Sequence, residues 1–184
     1  MKEIIAFFYP QDGDLRRTLV SHSQKVCSKA LQIAEHSGLD IDIKLVSEGA
    51  LLHDIGIFKC HAPGIFCTGN APYITHGIIG GKLLREYSVT YGIDLEKHAR
   101  ICERHTGSGL SIEDIRLQKL PLPEKDYLPE TIEEKLVCLA DKFFSKSANS
   151  EEKSLEEIRL SMSKFAPSAL RRFDELCRIF MITE

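Results

Sequence analysis

Apolar residues return at three- and four-residue spacing along nearly the whole chain, and no stretch alternates convincingly between apolar and polar. A 3.6-residue period gives each helix one apolar stripe, so a chain with this pattern folds by packing helix on helix. The pattern predicts helices over about 2–9, 14–38, 42–56, 75–91, 95–105, 131–146, 151–164 and 167–180. A short further helix follows Ser111, which is placed to cap it. Pro10, Gly38 and Pro167 punctuate the series. Two irregular stretches remain, KCHAPGIFCTGNAPYIT at 59–75 and LPLPEKDYLPE at 120–130. Long loops in a helical domain are often binding elements. With 184 residues, the expectation is one all-α domain over 1–184, its core at about 19–146 and its last helices at about 151–181.

Six polar residues break the apolar stripes. His22 precedes Val26 by four residues, and His53 and Asp54 follow Gly49 and Ala50 by four. His76 precedes Ile79 by three, His105 follows Cys102 by three, and Asp141 follows Val137 by four. Residues at these spacings share a helix face, so five helices each turn a His or an Asp inward. A single core histidine is ordinarily satisfied by a backbone carbonyl, and a single buried aspartate by a helix end or an arginine. Six such groups in one core are another matter, because each buried unpaired charge costs several kcal/mol. A divalent cation supplies the missing partner. Four imidazoles and two carboxylates, with no thiolate, suit iron or manganese best, and also zinc or magnesium. His36, His61 and His98 fall near helix ends, in loops or on polar faces, outside this set. Cys60, His61 and Cys67 offer only three irregularly spaced ligands and make a weak zinc site.

The order H…HD…H…H…D, with LLHDIG at its centre and LADKF at its end, resembles the HD-domain superfamily of metal-dependent phosphohydrolases over about Leu19–Lys146. The stretches THGIIGGKLLRE and CERHTGSGLSIEDI also resemble parts of small HD proteins of bacteria and archaea. His76 and His105 resemble the additional ligands of the subset that holds two metals. The resemblance implies one ion on His22, His53, Asp54 and Asp141, a second on His76 and His105, and Asp54 bridging them. It implies hydrolysis of a small phosphorylated metabolite, a nucleotide or dinucleotide, by a metal-bridging hydroxide. The same ligand pattern resembles HD-fold diiron oxygenases, which cleave C–C or C–P bonds with O2, and it would also serve a metal-binding ligand sensor.

Many members read HDIGK, whereas this chain has Ile57 after the glycine and Lys59 two residues later. Lys59 and Lys142 are the cations expected to act with Asp54 on the phosphoryl group. Arg104 reads as an ion-paired helix residue. The TGSG turn at 106–109 reads as a helix stop or as a source of N–H groups for a phosphate. The two loops, at about Cys60–Thr75 and Leu120–Glu130, are expected to cover the substrate.

The formal net charge of −3 gives no basic stripe of the kind that general nucleic-acid binders carry. No apolar run approaches the roughly 20 residues that span a bilayer. The N-terminal MKEIIAFFYP has no clean signal-peptide core, so the expected location is the cytoplasm. The six cysteines, without paired CxxC motifs, read as reduced core residues.

Overall fold

The predicted helices recur in the computed structural model of the protein, which describes residues 1–147 and 151–182. Helix α1 covers Lys2–Phe8, α2 Asp14–Ser37, α3 Ile43–Leu52, α4 His76–Tyr91 and α5 Glu96–Arg104. Then come α6 at Ile112–Leu117, α7 at Ile132–Asp141, α8 at Leu155–Ser163 and α9 at Pro167–Ile179. Side chains fix four of the starts. Asp42 accepts from the Leu45 N–H at the head of α3. Ser111, Thr131 and Ser154 form capping boxes with Asp114, Glu134 and Glu157 at α6, α7 and α8. Gly38 and Gly92, both with φ near +65°, close α2 and α4.

Two helices stop short of expectation, and both stops carry a carboxylate. Helix α3 ends at Leu52 rather than near Gly56, because the chain tightens into i→i−3 bonds from Ile55 N to Leu52 O and from Ile57 N to Asp54 O. Helix α7 ends at Asp141 rather than Lys146, with the same tightening from Lys142 N to Leu139 O and from Phe144 N to Asp141 O. Helix α8 begins at Leu155, where Ser154 caps it, rather than at 151. The first irregular stretch also holds a small antiparallel hairpin, β1 at His61–Ala62 and β2 at Cys67–Thr68, which period-2 patterning over two residues cannot reveal.

One core is built from α2, α3, α7, α8 and α9 around Val26, Val46, Leu136, Leu139 and Phe173. A second joins α1, α2, α4 and α5 around Leu19, Leu52, Ile55 and Leu84. The six polar positions lie between them. Gly56 sets that junction: a Cβ there would stand 2.3 Å from the His76 carbonyl and 2.5 Å from Gly80 N. Gly77 does the same between α4 and α5, where a Cβ would meet Cys102 O at 2.4 Å. No helix among the described residues is long and apolar enough to cross a membrane.

Candidate metal centre

Helix ends, more than helix faces, assemble the site. His22 sits in the middle of α2. His53 is the residue that ends α3, and Asp54 follows in the tight turn. His76 opens α4, His105 ends α5, and Asp141 is the last residue of α7. All six are buried, His53 and Asp54 completely. The structure thus brings together every histidine and aspartate singled out by periodicity.

Asp54 is the hub. Its Oδ1 faces His76 Nε2 at 3.3 Å and His105 Nε2 at 3.5 Å. Its Oδ2 faces His53 Nε2 at 3.3 Å and His22 Nε2 at 3.4 Å. Asp141 Oδ1 closes the second group, 2.9 Å from His22 Nε2 and 3.4 Å from His53 Nε2. Two donors bound to one ion at about 2.1 Å, at angles of 90–110°, stand roughly 3.0–3.4 Å apart. The observed separations match that spacing on both sides of Asp54.

Hydrogen bonding fixes which nitrogens are available. His53 Nδ1, His76 Nδ1 and His105 Nδ1 each donate to a backbone carbonyl, of Ala50, Tyr73 and Cys102, at 2.6–2.7 Å. A ring that donates from Nδ1 presents Nε2 as its remaining ligand atom, bare whenever the ring is neutral, and all three Nε2 atoms point inward. His76 Nε2 and His105 Nε2 face each other at 3.0 Å. His53 Nε2 and Asp54 Oδ1 are buried with no hydrogen-bond partner, and Asp54 Oδ2 has the Lys146 ammonium 2.8 Å away. Each buried orphan costs about 1–3 kcal/mol, and a cation removes the cost for both. The residues present therefore fit two divalent ions in donor type, spacing and orientation.

The electrostatics agree. Burial alone would raise the Asp54 pKa, but Lys146 and His53 outweigh it and hold the carboxyl well below its usual range. Burial works the same way on Asp141, and Lys142 and Lys146 keep it ionised. Burial pushes His76 down to about 3 and also lowers His22 and His105, so these rings are neutral. Burial opposes charge on His53 too, yet Asp54 and Asp141 prevail and lift it to about 9. Asp54 and Asp141, although paired with Lys146 and Lys142, still draw positive charge onto the nearest base, as they would onto a metal ion.

The lysines differ from expectation. Lys59 is exposed, with its ammonium 5.1 Å from the Phe58 ring centroid. Residues Ile57–Lys59 form a 3₁₀ turn, and Phe58 packs on Phe8 and Tyr9, which turns Lys59 away from the carboxylates. Lys142 lies at the site, with Nζ 2.7 Å from Asp141 Oδ2 and donating to His105 O at 3.1 Å. Lys146 is the cation that sequence reasoning passes over. Its Nζ stands 2.8 Å from Asp54 Oδ2, and the two carboxylates raise its pKa against the effect of burial. The early stop of α7 brings it there, and no periodicity argument contains that stop. Arg104 pairs with Glu130 at 2.7 Å and bonds Leu128 O, a structural role. His98 is buried against Glu48 at 3.1 Å, and His36 bonds Gln32 O. The groups that could hold an ion among the described residues include none of Cys60, His61 and Cys67.

A cavity of about 500 Å³ leads to the centre past Asp141, Lys142, Lys146 and Lys153. The first loop contributes Ala62, Gly64, Ile65 and Tyr73 to it. Its other wall comes from α8 and the turn after it, through Ile158, Ser161, Met162 and Phe165. That helix turns no His or Asp onto its apolar face, so the signal that picks out the six residues is silent there. The second loop supplies Leu120 to an adjoining cavity.

The sequence profile of the family described as "HD domain" matches residues 19–145. An uncharacterised protein of Methanocaldococcus jannaschii is 40% identical over 126 residues, 67% of this chain and 64% of that protein. A tRNA (cytidine(56)-2′-O)-methyltransferase of Picrophilus torridus is 40% identical over 127 residues, and one of Thermoplasma volcanium 39%. The matched stretch spans 69% of this chain but only 31% and 32% of those two proteins. The HD domain of the L. monocytogenes phosphodiesterase PgpH superposes with a TM-score of 0.51 at 17% identity, covering 97% of this chain and 94% of that one. The same domain in complex with cyclic-di-AMP gives 0.50 at 17% identity, covering 97% of this chain and 92% of that one. At that identity the likeness concerns the fold.

Proposed function

Because the chain belongs to the HD-domain family, we propose that it is a metal-dependent phosphohydrolase acting on a small phosphorylated metabolite, a nucleotide or dinucleotide, in a centre for two divalent ions, iron or manganese. His22, His53, Asp54 and Asp141 hold one ion; His76 and His105 hold the other, with Asp54 between them. The observation that carries this reading is the division of the Asp54 carboxylate, Oδ1 toward one pair of imidazoles and Oδ2 toward the other. When bound, a pair of ions supplies an activated water and a clamp for phosphoryl oxygens.

The chain's own residues bind and orient. The backbone carbonyls of Ala50, Tyr73 and Cys102 hold three rings in the tautomer that leaves Nε2 free. Lys142 is a positioning residue: it engages Asp141 Oδ2, which leaves Oδ1 for the ion. Lys146 takes the role first expected of Lys59, offsetting charge that builds on the phosphoryl oxygens. Lys153 adds a third cation along the cavity. This concentration of positive charge supports an anionic substrate for a chain of formal net charge −3. The methyltransferase name of two relatives describes proteins about three times as long as the matched stretch, and it is not assigned to this chain.

The test is metal analysis of aerobically and anaerobically purified protein, followed by a phosphoester panel with added Mn2+. Expected is Mn2+- or Fe2+-dependent release of phosphate or nucleotide, stopped by a chelator, untouched by iodoacetamide and without O2 consumption. Substrate-dependent O2 uptake with a mixed-valent diiron EPR signal, and no release from any phosphoester, would establish the oxygenase chemistry instead.

A further inference from the structure

A second cavity, of about 340 Å³, adjoins the metal centre on the side of His76. It borders the lysine-lined cavity: Tyr73, Gly107, Met162 and Phe165 line both. Its walls are apolar: Ile74 and Leu120 from one side, Met162, Phe165 and Ala169 from α8, α9 and the turn between them. Polar groups also line it: the Gln118 side chain, Thr106, Ser108, Asp114, and Arg172, which pairs with Asp114 at 2.7 Å and whose Nε is buried without a hydrogen-bond partner. The Tyr73 ring stacks on the His76 ring, 4.7 Å between centroids and 24° between planes, at the boundary of the two cavities. Most of this lining lies in segments that the ligand pattern leaves out.

Resting on the phosphohydrolase reading, we propose that this cavity receives the flat, ring-bearing half of the substrate, a nucleobase-sized group, and that Leu120, Met162 and Phe165 set specificity. Phosphate and ring need opposite surroundings. The cations and the centre suit the first, while an apolar slot with donors and an amide at its edge suits the second. A volume of about 340 Å³ is at the small end of ligand pockets, right for one part of a ligand rather than the whole. An extended aliphatic chain would leave Arg172 Nε buried and unpaired, whereas a heterocycle edge offers an acceptor. Phe165 is 62% exposed and stands where the cavities meet, where a ring could stack on it.

Calorimetry on the Mn2+-loaded protein separates the parts with two probes that cannot be hydrolysed: adenosine, which has the ring and no phosphate, and inorganic phosphate. Expected is that both bind together, and that Leu120→Trp weakens adenosine at least tenfold while leaving phosphate within twofold. Phe165→Ala, at an exposed position that does not threaten folding, should weaken adenosine by a similar factor. Adenosine that fails to bind the wild type, that competes with phosphate, or that is indifferent to both variants would overturn the assignment. If adenosine binds as described while phosphate does not and no phosphoester is cleaved, the cavity assignment stands and the phosphohydrolase reading fails.

Discussion

His76 Nε2 and His105 Nε2 face each other at 3.0 Å, although each ring already donates its Nδ1 proton to a backbone carbonyl. Two neutral imidazoles in that state present lone pair to lone pair, with Asp54 Oδ1 completing the triangle. The arrangement is repulsive unless a cation lies among the three atoms. His105→Ala should therefore lower metal content from two ions per chain to one and reduce kcat at least a hundredfold. Elemental analysis checks the first, and loss of both ions in this variant would argue against two separable sites.

Asp54→Ala removes the carboxylate whose two oxygens face the two histidine pairs, so both ions should be lost and activity abolished. His61→Ala, at an exposed position in the hairpin, should retain the wild-type metal content. Equal loss in the two variants would move the site to the loop.

Lys146→Ala should keep both ions and lower kcat by about 10²-fold, in the range found when one oxyanion-stabilising group is removed. Lys59→Ala should behave as wild type. Steady-state kinetics with parallel metal analysis separates the two lysines, and a defect confined to Lys59→Ala would contradict the placement of charge described above.

Much of this centre is legible in the sequence, for a definable reason. A polar side chain on an apolar stripe announces itself through phase, and all six of these residues do so. The boundaries do not. The stops of α3 and α7 at the carboxylates come from tight i→i−3 bonds set by tertiary packing, and they decide that Lys146 rather than Lys59 approaches Asp54. The contribution of α8 and α9 is equally silent, because Met162, Phe165 and Ala169 look like ordinary apolar positions until the cavity is seen. Gly56, by contrast, can be explained once the fold is known: it lets the turn after Asp54 pass against the start of α4.

That contact gives a stability prediction. Gly56→Ala forces a Cβ against the His76 carbonyl, and overpacking of this kind costs about 1–3 kcal/mol. Chemical denaturation should show the loss. Metal content should fall with it, because His76 is displaced by the same movement.

Asp114 carries the pH dependence that lies outside the metal centre. Burial alone would raise its pKa, but the Ser111 N–H, the hydroxyls of Ser168 and Ser111, and Arg172 together lower it. These bonds tie α6 to α9. A carboxyl depressed in the folded state stabilises fully above its unfolded pKa, and the contribution disappears as pH falls through the folded value. Asp114→Asn should therefore destabilise the protein at neutral pH by about 2 kcal/mol, the order of a lost cap and buried ion-pair partner. The gap from wild type should close in acid, measured as denaturation midpoints against pH. A gap independent of pH would assign the role of Asp114 to shape alone.

Six side chains that form one two-ion centre, with Asp54 between the ions, would hold two metals at fixed positions. Anomalous diffraction from crystals of Mn2+- or Fe2+-loaded protein tests this most directly. Two peaks are predicted, one within about 2.3 Å of His76 Nε2, His105 Nε2 and Asp54 Oδ1, the other within the same reach of His22, His53, Asp141 and Asp54 Oδ2. A single peak, or density centred on Cys60 and Cys67, would contradict the account.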